Sequence, residues 1–399
     1  MKRTGFLGFV ASEWSLILAV CVGTGLAHVG TTTMPLQIGA LMDAAGRSAS
    51  QAGLFGFCQI GALAFGMILI SSRLDRAHPG AIAIGSALLA TTANVGQCFV
   101  HFFPLQLLFG ALTGLAFGFI FAATIAGAAG CRDSDRLYGI GNGGGLVLIM
   151  MVVAGLPVAA NHFGPRAIFM GIAALSLVCS VFFSGLKRGQ RYATDERVSW
   201  RTEGVPGLLF SWVALSMGTG AVYSFSERIG RQNHLTSEVI GVVLSAGLFV
   251  GLFGTLTAAF VVDRVSRSHA LIIGMVGTGA SCLLLGYSAN LASFAAGIFL
   301  YLLFYMFLYC YLLGTAAQLD STGRVGALGG GLERLSYSVG VWIGGLLAEY
   351  ISYATIGLLG FAGCMLGLVF GFPSLFRALY RRESTTAETP EFRDNSLVN

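Results

Sequence analysis

The sequence predicts an all-α polytopic membrane protein, with twelve transmembrane helices arranged as two six-helix pseudo-repeats. Composition is the first observation: the 399-residue chain is 55% apolar and only 10% charged, whereas a soluble domain carries roughly 25% charged residues. The other two are a series of long apolar segments and a repeat that relates the two halves. Too few charges are present to cover a soluble globule, which excludes a soluble enzyme, a nucleic-acid-binding protein and a disordered scaffold.

Charged, proline-rich or glycine-rich breaks separate the apolar segments, and a spanning helix needs about 20 apolar residues. The predicted spans are 12–35, 50–71, 79–101, 104–130, 137–160, 165–186, 206–230, 237–262, 269–288, 291–318, 327–350 and 354–376. The polar stretch 187–205 is the predicted central linker between an N-terminal six-helix bundle (1–186) and a C-terminal one (206–376). Residues 377–399 are predicted to be a disordered tail.

The distribution of basic residues predicts the orientation. With a cytoplasmic N-terminus, 18 of the 23 Lys and Arg residues fall on the inside, four lie at outside ends and loops, and Arg334 lies within a span. Cytoplasmic loops are enriched in Lys and Arg. Both termini and the linker are therefore expected in the cytoplasm, with the chain in the cell (inner) membrane.

Sequence similarity between the halves indicates a parallel repeat. VGTGLAH (22–28) matches MGTGAVY (217–223) at an offset of 195. Leu74-Asp75-Arg76 matches Val262-Asp263-Arg264 at an offset of 188, and Arg136 matches Arg324 at the same offset. Transporters built from such repeats bind substrate between the halves, near the bilayer midplane.

The loop from Ser71 to Gly80 resembles the motif G-x-x-x-D-R-x-G-R-R of the major facilitator superfamily of secondary transporters. Asp75 and Arg76 match it, whereas the leading Gly and the trailing basic pair are absent. The resemblance covers residues 10–376 and implies alternating access. It also implies a cytoplasmic gate comprising Asp75, Arg76, Arg136, Asp263, Arg264 and Arg324. Gly110 stands where the family's proton antiporters have Arg, so the motifs do not support drug antiport.

Polar faces on the first and seventh spans supply the first candidate site residues. Thr24, His28 and Thr32 recur every four residues on one helix face. The matching positions in the other half are Thr219, Tyr223 and Glu227. Histidine titrates near neutral pH and an intramembrane acid is often functional. The alternatives are a hydrogen-bonded packing role for His28 and an outer ion pair of Glu227 with Arg228 or Arg231.

Further candidates lie on the eleventh and tenth spans. Glu333 shares a face with Ser336, Gly340 and Gly344, opposite Trp342, which is expected to face lipid. Glu333 and Arg334 form either a structural ion pair at the cytoplasmic gate or a substrate or proton site. An aromatic stripe in span ten is either packing or a cavity wall. The predicted cavity comprises Thr24, His28, Thr32, Tyr223, Glu227, Tyr305, Glu333 and Arg334.

The leading hypothesis is a secondary active transporter that moves a small organic solute by rocker-switch alternating access, coupled to protons. The sequence contains no Walker-type lysine loop and no HExxH, so neither a cofactor nor a metal is expected. The expected partners are the small-molecule substrate, protons and the lipid bilayer, with no nucleic acid, and the protein is expected to be a monomer. The alternatives are a membrane-embedded enzyme acting on lipid or glycan, and a non-transporting receptor on the same fold. The scarcity of cationic groups at membrane depth favours a neutral, aromatic or monocarboxylate solute.

Overall fold

The computed structural model describes residues 6–71, 78–129, 131, 134–186, 203–261, 264–320 and 324–388. Helices dominate these ranges, and no strand occurs within them, which confirms the all-α prediction. The first half contains α1 (Phe6–Thr32), α2 (Met34–Ala45), α3 (Ala49–Ser71), α4 (Pro79–Phe99), α5 (Phe103–Ala129), α6 (Ser134–Phe163) and α7 (Ala167–Ser180). The second contains α8 (Val205–Ser224), α9 (Ser226–Gln232), α10 (Ser237–Val261), α11 (Arg267–Gly286), α12 (Leu291–Leu319), α13 (Arg324–Tyr350), α14 (Tyr353–Leu366) and α15 (Phe372–Glu388).

Among the described residues, eleven helices are long and apolar enough to cross a bilayer. The remaining predicted span, 327–350, falls in α13, which has 27 residues. At about 1.5 Å per residue α13 is also long enough to span. It is more polar than the others because it carries Glu333, Arg334 and Glu349. The chain is a multi-pass membrane protein, and its most polar span contains two of the candidate site residues.

Gly110, Gly114 and Gly118 recur every four residues in α5, as do Ser336, Gly340 and Gly344 in α13, and such stripes of small residues predict close contact between helices. Gly114 of α5 lies against the carbonyl oxygen of Gln59 on α3. Gly340 of α13 lies in the same way against the carbonyl oxygen of Met217 on α8. A side chain at either glycine would collide with the backbone of the neighbouring helix.

Two pairs of long helices form the most extensive contacts between the halves, namely α3 with α13 and α6 with α10, and α2 adds contacts with α8 and α9. At the first of these, a Cβ atom on Gly53 would lie 3.0 Å from the Cα atom of Gly345. At the second, a Cβ atom on Gly241 would lie 2.5 Å from the ring of Pro157. At both interfaces a glycine leaves room for the facing helix, so the two halves approach each other closely.

The first span is broken near one end. α1 ends at Thr32 and α2 begins at Met34, with Pro35 in its first turn. Proline has no backbone N–H, so a carbonyl of the preceding turn loses its partner. The side chain of buried Gln37 donates to the Gly30 carbonyl over 3.2 Å, and the Thr33 hydroxyl donates to the Val29 carbonyl over 2.7 Å. Both donors are buried side chains that hydrogen-bond to backbone carbonyls next to the break, where unpaired polar groups would be costly at membrane depth.

The second half has a similar break, since Phe225 separates α8 from α9. Both breaks lie toward the end of the bundle opposite the chain termini, which we call the distal end; the opposite end is the proximal end. The short helices α2 and α9 thus form separate distal segments in each half. At the proximal end, α15 continues helically through residues 377–388, where the sequence predicts a disordered tail.

Candidate functional site

His28 occupies the middle of the bundle on α1. Its Nδ1 atom donates to the Thr24 carbonyl oxygen over 2.9 Å. Because a carbonyl can only accept, Nδ1 carries the hydrogen of the neutral ring, which leaves Nε2 as an acceptor. The edge of Phe121 on α5 contacts the imidazole, with ring centroids 5.2 Å apart. The ring is thereby fixed in orientation.

Glu333 and Arg334 bring the second half to the same region. The Glu333 carboxylate accepts from the Tyr305 hydroxyl over 3.3 Å, and it lies 3.5 Å from the Arg334 Nε atom. Arg334 also reaches across to the first half, where its Nη1 atom donates to the Thr31 hydroxyl over 3.5 Å. A chain of polar contacts therefore runs from α12 through α13 to α1.

A ladder of aromatic rings stands beside this ion pair. Tyr223 stacks on Tyr301, Tyr301 on Tyr305, and Tyr305 on Tyr309, with centroids 6.2, 5.7 and 6.2 Å apart. Trp212 closes the proximal end of the ladder with an edge contact to Tyr309 at 5.9 Å. Offset stacking of this kind is favourable at such separations. The ladder forms a continuous π-surface on α8 and α12.

Exposure distinguishes the groups of the central cluster. The side chain of Arg334 is 20% exposed, whereas that of Glu333 is 4% exposed. Tyr305 and Tyr309 are partly exposed, and Tyr301 is buried. The guanidinium and two of the rings thus keep some accessible surface, and the carboxylate is buried.

A second polar cluster holds the halves together at the distal end. Arg228 on α9 donates to both carboxylate oxygens of Asp43 on α2, over 2.9 and 2.8 Å. Glu227, which is 2% exposed, lies 2.7 Å from the Arg228 Nε atom and 3.8 Å from the Nε atom of Arg231. Asp43, Glu227 and Arg231 border a cavity of about 460 Å³ that both halves line.

Two further hydrogen bonds cross between the halves at this end. The Ser50 N–H donates to the Glu349 carboxylate over 2.8 Å. The Asn161 amide donates to the Glu238 carboxylate, also over 2.8 Å. Nearer the middle, the Tyr223 hydroxyl donates to the Thr32 carbonyl over 3.0 Å and the Ser245 hydroxyl to the Met150 carbonyl over 3.0 Å.

Comparisons with known proteins identify the architecture. No protein-family model matches the sequence, and no curated protein matches it either. Solved structures do match. A D-xylose–proton symporter superposes with a TM-score of 0.73 at 15% identity, covering 90% of this chain and 97% of the symporter. A variant of the nucleoside transporter NupG gives 0.73 at 13% identity, covering 91% of this chain and 99% of NupG.

A third structure, a bacterial homologue of the human lysosomal transporter Spinster in an inward-facing, unoccupied conformation, gives a TM-score of 0.65 at 14% identity. It covers 95% of this chain and 98% of the homologue. This chain has the major facilitator superfamily fold. These three structures are of transporters or of a transporter homologue, and at 13–15% identity the likeness establishes the fold.

The major facilitator fold brings most of the predicted cavity residues together. The Thr32 carbonyl accepts from Tyr223, His28 faces Arg334, and Tyr305 donates to Glu333. Thr24 contacts His28 through its carbonyl and packs against Gly145 of α6, so no contact joins it to the second half among the described residues. Glu227 is the exception, because it lies in the distal cluster with Arg228 and Arg231. Thr219 is fully buried and donates to the Leu215 carbonyl.

The predicted gate is described only in part. Asp75, Arg76 and Asp263 lie outside the described residues. Arg136 and Arg324 fall in the first turns of α6 and α13, and Arg264 follows α10 in an exposed turn. The gate prediction therefore remains a prediction.

Sequence reasoning missed several residues of the two clusters. Tyr337 of α13 is buried and receives a 3.4 Å hydrogen bond from the Ser224 hydroxyl. Asp43 lies beyond the predicted end of the first span, and its acidic side chain close to an apolar segment was the available signal.

Trp342, which the sequence predicts to face lipid, is 40% exposed. Its ring contacts that of Phe57 between α13 and α3, with centroids 5.8 Å apart.

Proposed function

We propose that this protein is a secondary transporter that moves a small organic solute across the cell (inner) membrane by alternating access, coupled to protons and acting as a monomer. The observation that carries the proposal is the central cluster, in which Arg334 and Glu333 of one half meet Thr31 of the other. Ionisable side chains in the middle of a membrane bundle are costly and mark substrate or proton pathways. The matched transporters supply the fold-level support.

The arrangement of contacts supports an inward-facing state for the described conformation. The basic residues place the distal end on the outside. Every cross-half hydrogen bond described above lies at the distal end or in the middle of the bundle. The outer side is therefore the closed side, and solute exchanges with the cytoplasm in this state.

The proposed coupling of transport to protons depends on Glu333 and His28. A proton on either group changes the charge in the space between the halves. Such a change drives the switch only if the two conformations bind the proton with different affinities. The outward-facing conformation must separate Arg334 from Thr31 or shift the Glu333 carboxylate, and either movement alters how well a charge is stabilised there.

Transport in proteoliposomes tests the proposal. Purified protein is reconstituted, and accumulation of labelled neutral, aromatic and monocarboxylate solutes is measured with an imposed pH gradient. We expect accumulation of at least one class. Glu333→Gln should abolish accumulation driven by the pH gradient and retain counterflow exchange, which needs no net proton movement.

The matched control is Glu238→Gln, which removes a carboxylate from the distal end and should preserve coupling. If Glu333→Gln and His28→Ala both retain full gradient-driven accumulation, neither residue is the coupling group. If folded wild-type protein neither accumulates nor exchanges any solute of the three classes, the transporter proposal is wrong.

A further inference from the structure

Arg334 and the partly exposed rings of Tyr305 and Tyr309 indicate which class of ligand the central cluster could bind. We propose that the solute is an aromatic monocarboxylate, whose carboxylate displaces Glu333 from Arg334 and whose ring lies along Tyr305 and Tyr309. This inference rests on the proposed function and names the substrate class for the same site.

The contacts of Arg334 leave most of its donors unused. A guanidinium has five N–H donors in a planar fork that fits a carboxylate with two parallel hydrogen bonds. Within the described residues, its polar partners are Glu333 and Thr31, each at 3.5 Å. Charge-assisted hydrogen bonds are normally about 2.7–2.9 Å long. Arg334 is therefore held loosely, and its side chain, which lies beside Thr31 of the other half, is 20% exposed.

The geometry of the Glu333–Arg334 pair explains why a solute carboxylate can compete. The two residues are consecutive on α13, and consecutive side chains on a helix point about 100° apart. The closest approach of the pair is correspondingly long, at 3.5 Å between the Arg334 Nε atom and a Glu333 carboxylate oxygen. A free carboxylate is not restrained by the helix and can engage both edges of the fork, which makes it the better partner.

Charge balance couples this exchange to a proton. With Glu333 ionised, an added solute carboxylate would leave one uncompensated negative charge at membrane depth, which is costly. A proton on Glu333 removes that charge, and the neutral acid retains its hydrogen bond with Tyr305. One solute carboxylate and one proton therefore bind together, and no covalent bond changes.

The titratable groups that face Glu333 permit this protonation. Arg334 adjoins it on α13, Tyr305 and Tyr309 face it from α12, and Tyr337 faces it from the next turn of α13. Across the space, His28 of α1 faces Arg334. Arg334 is the dominant positive charge, so its transfer from Glu333 to the solute removes the main stabilisation of the ionised Glu333 carboxylate.

The preference for an aromatic solute comes from the exposed rings of the tyrosine ladder. Tyr301 is 2% exposed, whereas Tyr305 and Tyr309 are partly exposed. Phe304 lies against Gly277 of α11 and is not part of this surface. Tyr305 both stacks in the ladder and contacts Glu333, which places the ring surface next to the charge pair. A planar ring attached to a carboxylate satisfies both features together.

Binding measurements on the full-length purified protein test the inference. The probes are benzoate, its uncharged analogue benzamide and the non-aromatic cyclohexanecarboxylate, and the readout is the ligand-dependent rise in Tm. We expect benzoate to bind most tightly and benzamide most weakly. Arg334→Gln should weaken benzoate binding roughly 10- to 100-fold, and Arg231→Gln, a matched arginine at the distal end, should leave it unchanged.

The pH dependence of benzoate binding in Glu333→Gln distinguishes a ligand-binding role of Arg334 from a purely structural one. In wild-type protein, benzoate affinity should rise as pH falls from about 8 to about 5.5, where benzoate itself stays ionised. Glu333→Gln removes the competitor, so benzoate should bind at least as tightly as in the wild type and without this pH dependence. Tyr305→Phe should retain benzoate binding because the ring remains.

Three results would overturn the inference: benzamide binding as tightly as benzoate, weaker benzoate binding in Glu333→Gln, or no binding of either carboxylate. Counterflow of another solute with no carboxylate binding would reject the substrate class and leave the transporter proposal intact. Carboxylate binding with no exchange of any solute would reject transport and leave the binding site intact.

Discussion

Arg228 on α9 donates two hydrogen bonds to the Asp43 carboxylate on α2, and the two residues belong to opposite halves of the bundle. The same guanidinium donates to the Gly39 carbonyl over 2.9 Å and lies 2.7 Å from the Glu227 carboxylate. One arginine therefore joins α2 of the first half to α9 of the second. Bidentate arginine–carboxylate pairs are among the stronger polar contacts in proteins. The Arg228–Asp43 pair therefore favours the conformation in which the distal end is closed.

Replacement of Arg228 should open the distal end. Arg228→Gln removes the bidentate pair, and we expect this loss to change the free-energy difference between the two conformations by about 1–3 kcal/mol. We expect a shift of the conformational equilibrium of roughly 5- to 150-fold toward the open distal end. Electron–electron resonance distances between spin labels at Phe102 and Tyr287, both exposed at that end, should lengthen, in a background with the native cysteines replaced.

Arg231→Gln is the matched control for this shift. Arg231 is also paired with Glu227, but over a longer 3.8 Å contact and with a 44% exposed side chain. Its removal should leave the distance distribution close to that of the wild type. Equal distributions for Arg228→Gln and wild type would show that the Asp43 pair does not hold the halves together.

A side chain at Gly340 should destabilise the fold. In Gly340→Ala, the added methyl group would collide with the Met217 carbonyl of α8, and such overpacking costs about 1–3 kcal/mol. Gly330→Ala on the same helix is the control, because its Cβ atom would meet nothing within 4 Å. We expect a lower Tm for Gly340→Ala only, and equal values would contradict the close packing of α13 on α8.

Accessibility labelling should establish the orientation of the chain in the membrane. Cysteines introduced at Gly189 in the central stretch and at Ser384 near the C-terminus should resist an impermeant reagent in intact cells. A cysteine at Ser48, between α2 and α3, should react. The excess of basic residues predicts that Gly189 and Ser384 are cytoplasmic, and Ser48 is expected on the opposite side of the membrane. Labelling of Gly189 from outside would reverse the orientation.

Neutralising Asp75 should act in the opposite direction to the Arg228 change. By resemblance, this acid helps to latch the proximal end in the outward-facing state. An acid near a helix N-terminus contributes about 0.3–1 kcal/mol, which is enough to bias a nearly balanced equilibrium. Asp75→Asn should therefore lower transport and lengthen distances across the proximal end. Normal transport with unchanged distances would remove Asp75 from the gate.

The helices and their close-packed faces could be predicted from the sequence, because both depend on spacing within one segment. Gly114 and Gly340 were assigned to packing faces from a period-four pattern, and each contacts a neighbouring backbone. Spacing defines only the face on which a residue lies. The contact between Thr31 and Arg334 joins residues 303 positions apart, and no periodicity specifies such a pairing.

The end of the first span illustrates a different limit. Pro35 is a strong helix-breaking signal, and the predicted span ends there. Proline is equally well suited to the first turn of a new helix, and α2 begins at Met34 and continues to Ala45. Asp43 was consequently treated as a loop residue, and its pairing with Arg228 was not foreseen.

The Arg228–Asp43 and Arg334–Glu333 ion pairs differ in their access to water. Asp43 has a 36% exposed side chain at the distal face, whereas the Glu333 carboxylate is 4% exposed inside the bundle. Dissolved ions screen charges over about 8 Å at 0.15 M ionic strength, and buried pairs are screened much less. Salt in the medium bathing the distal face consequently weakens the contact that closes that face while leaving the central pair almost untouched. Ionic strength at the distal face therefore acts on how readily that face opens, and not on the charge pair of the central site.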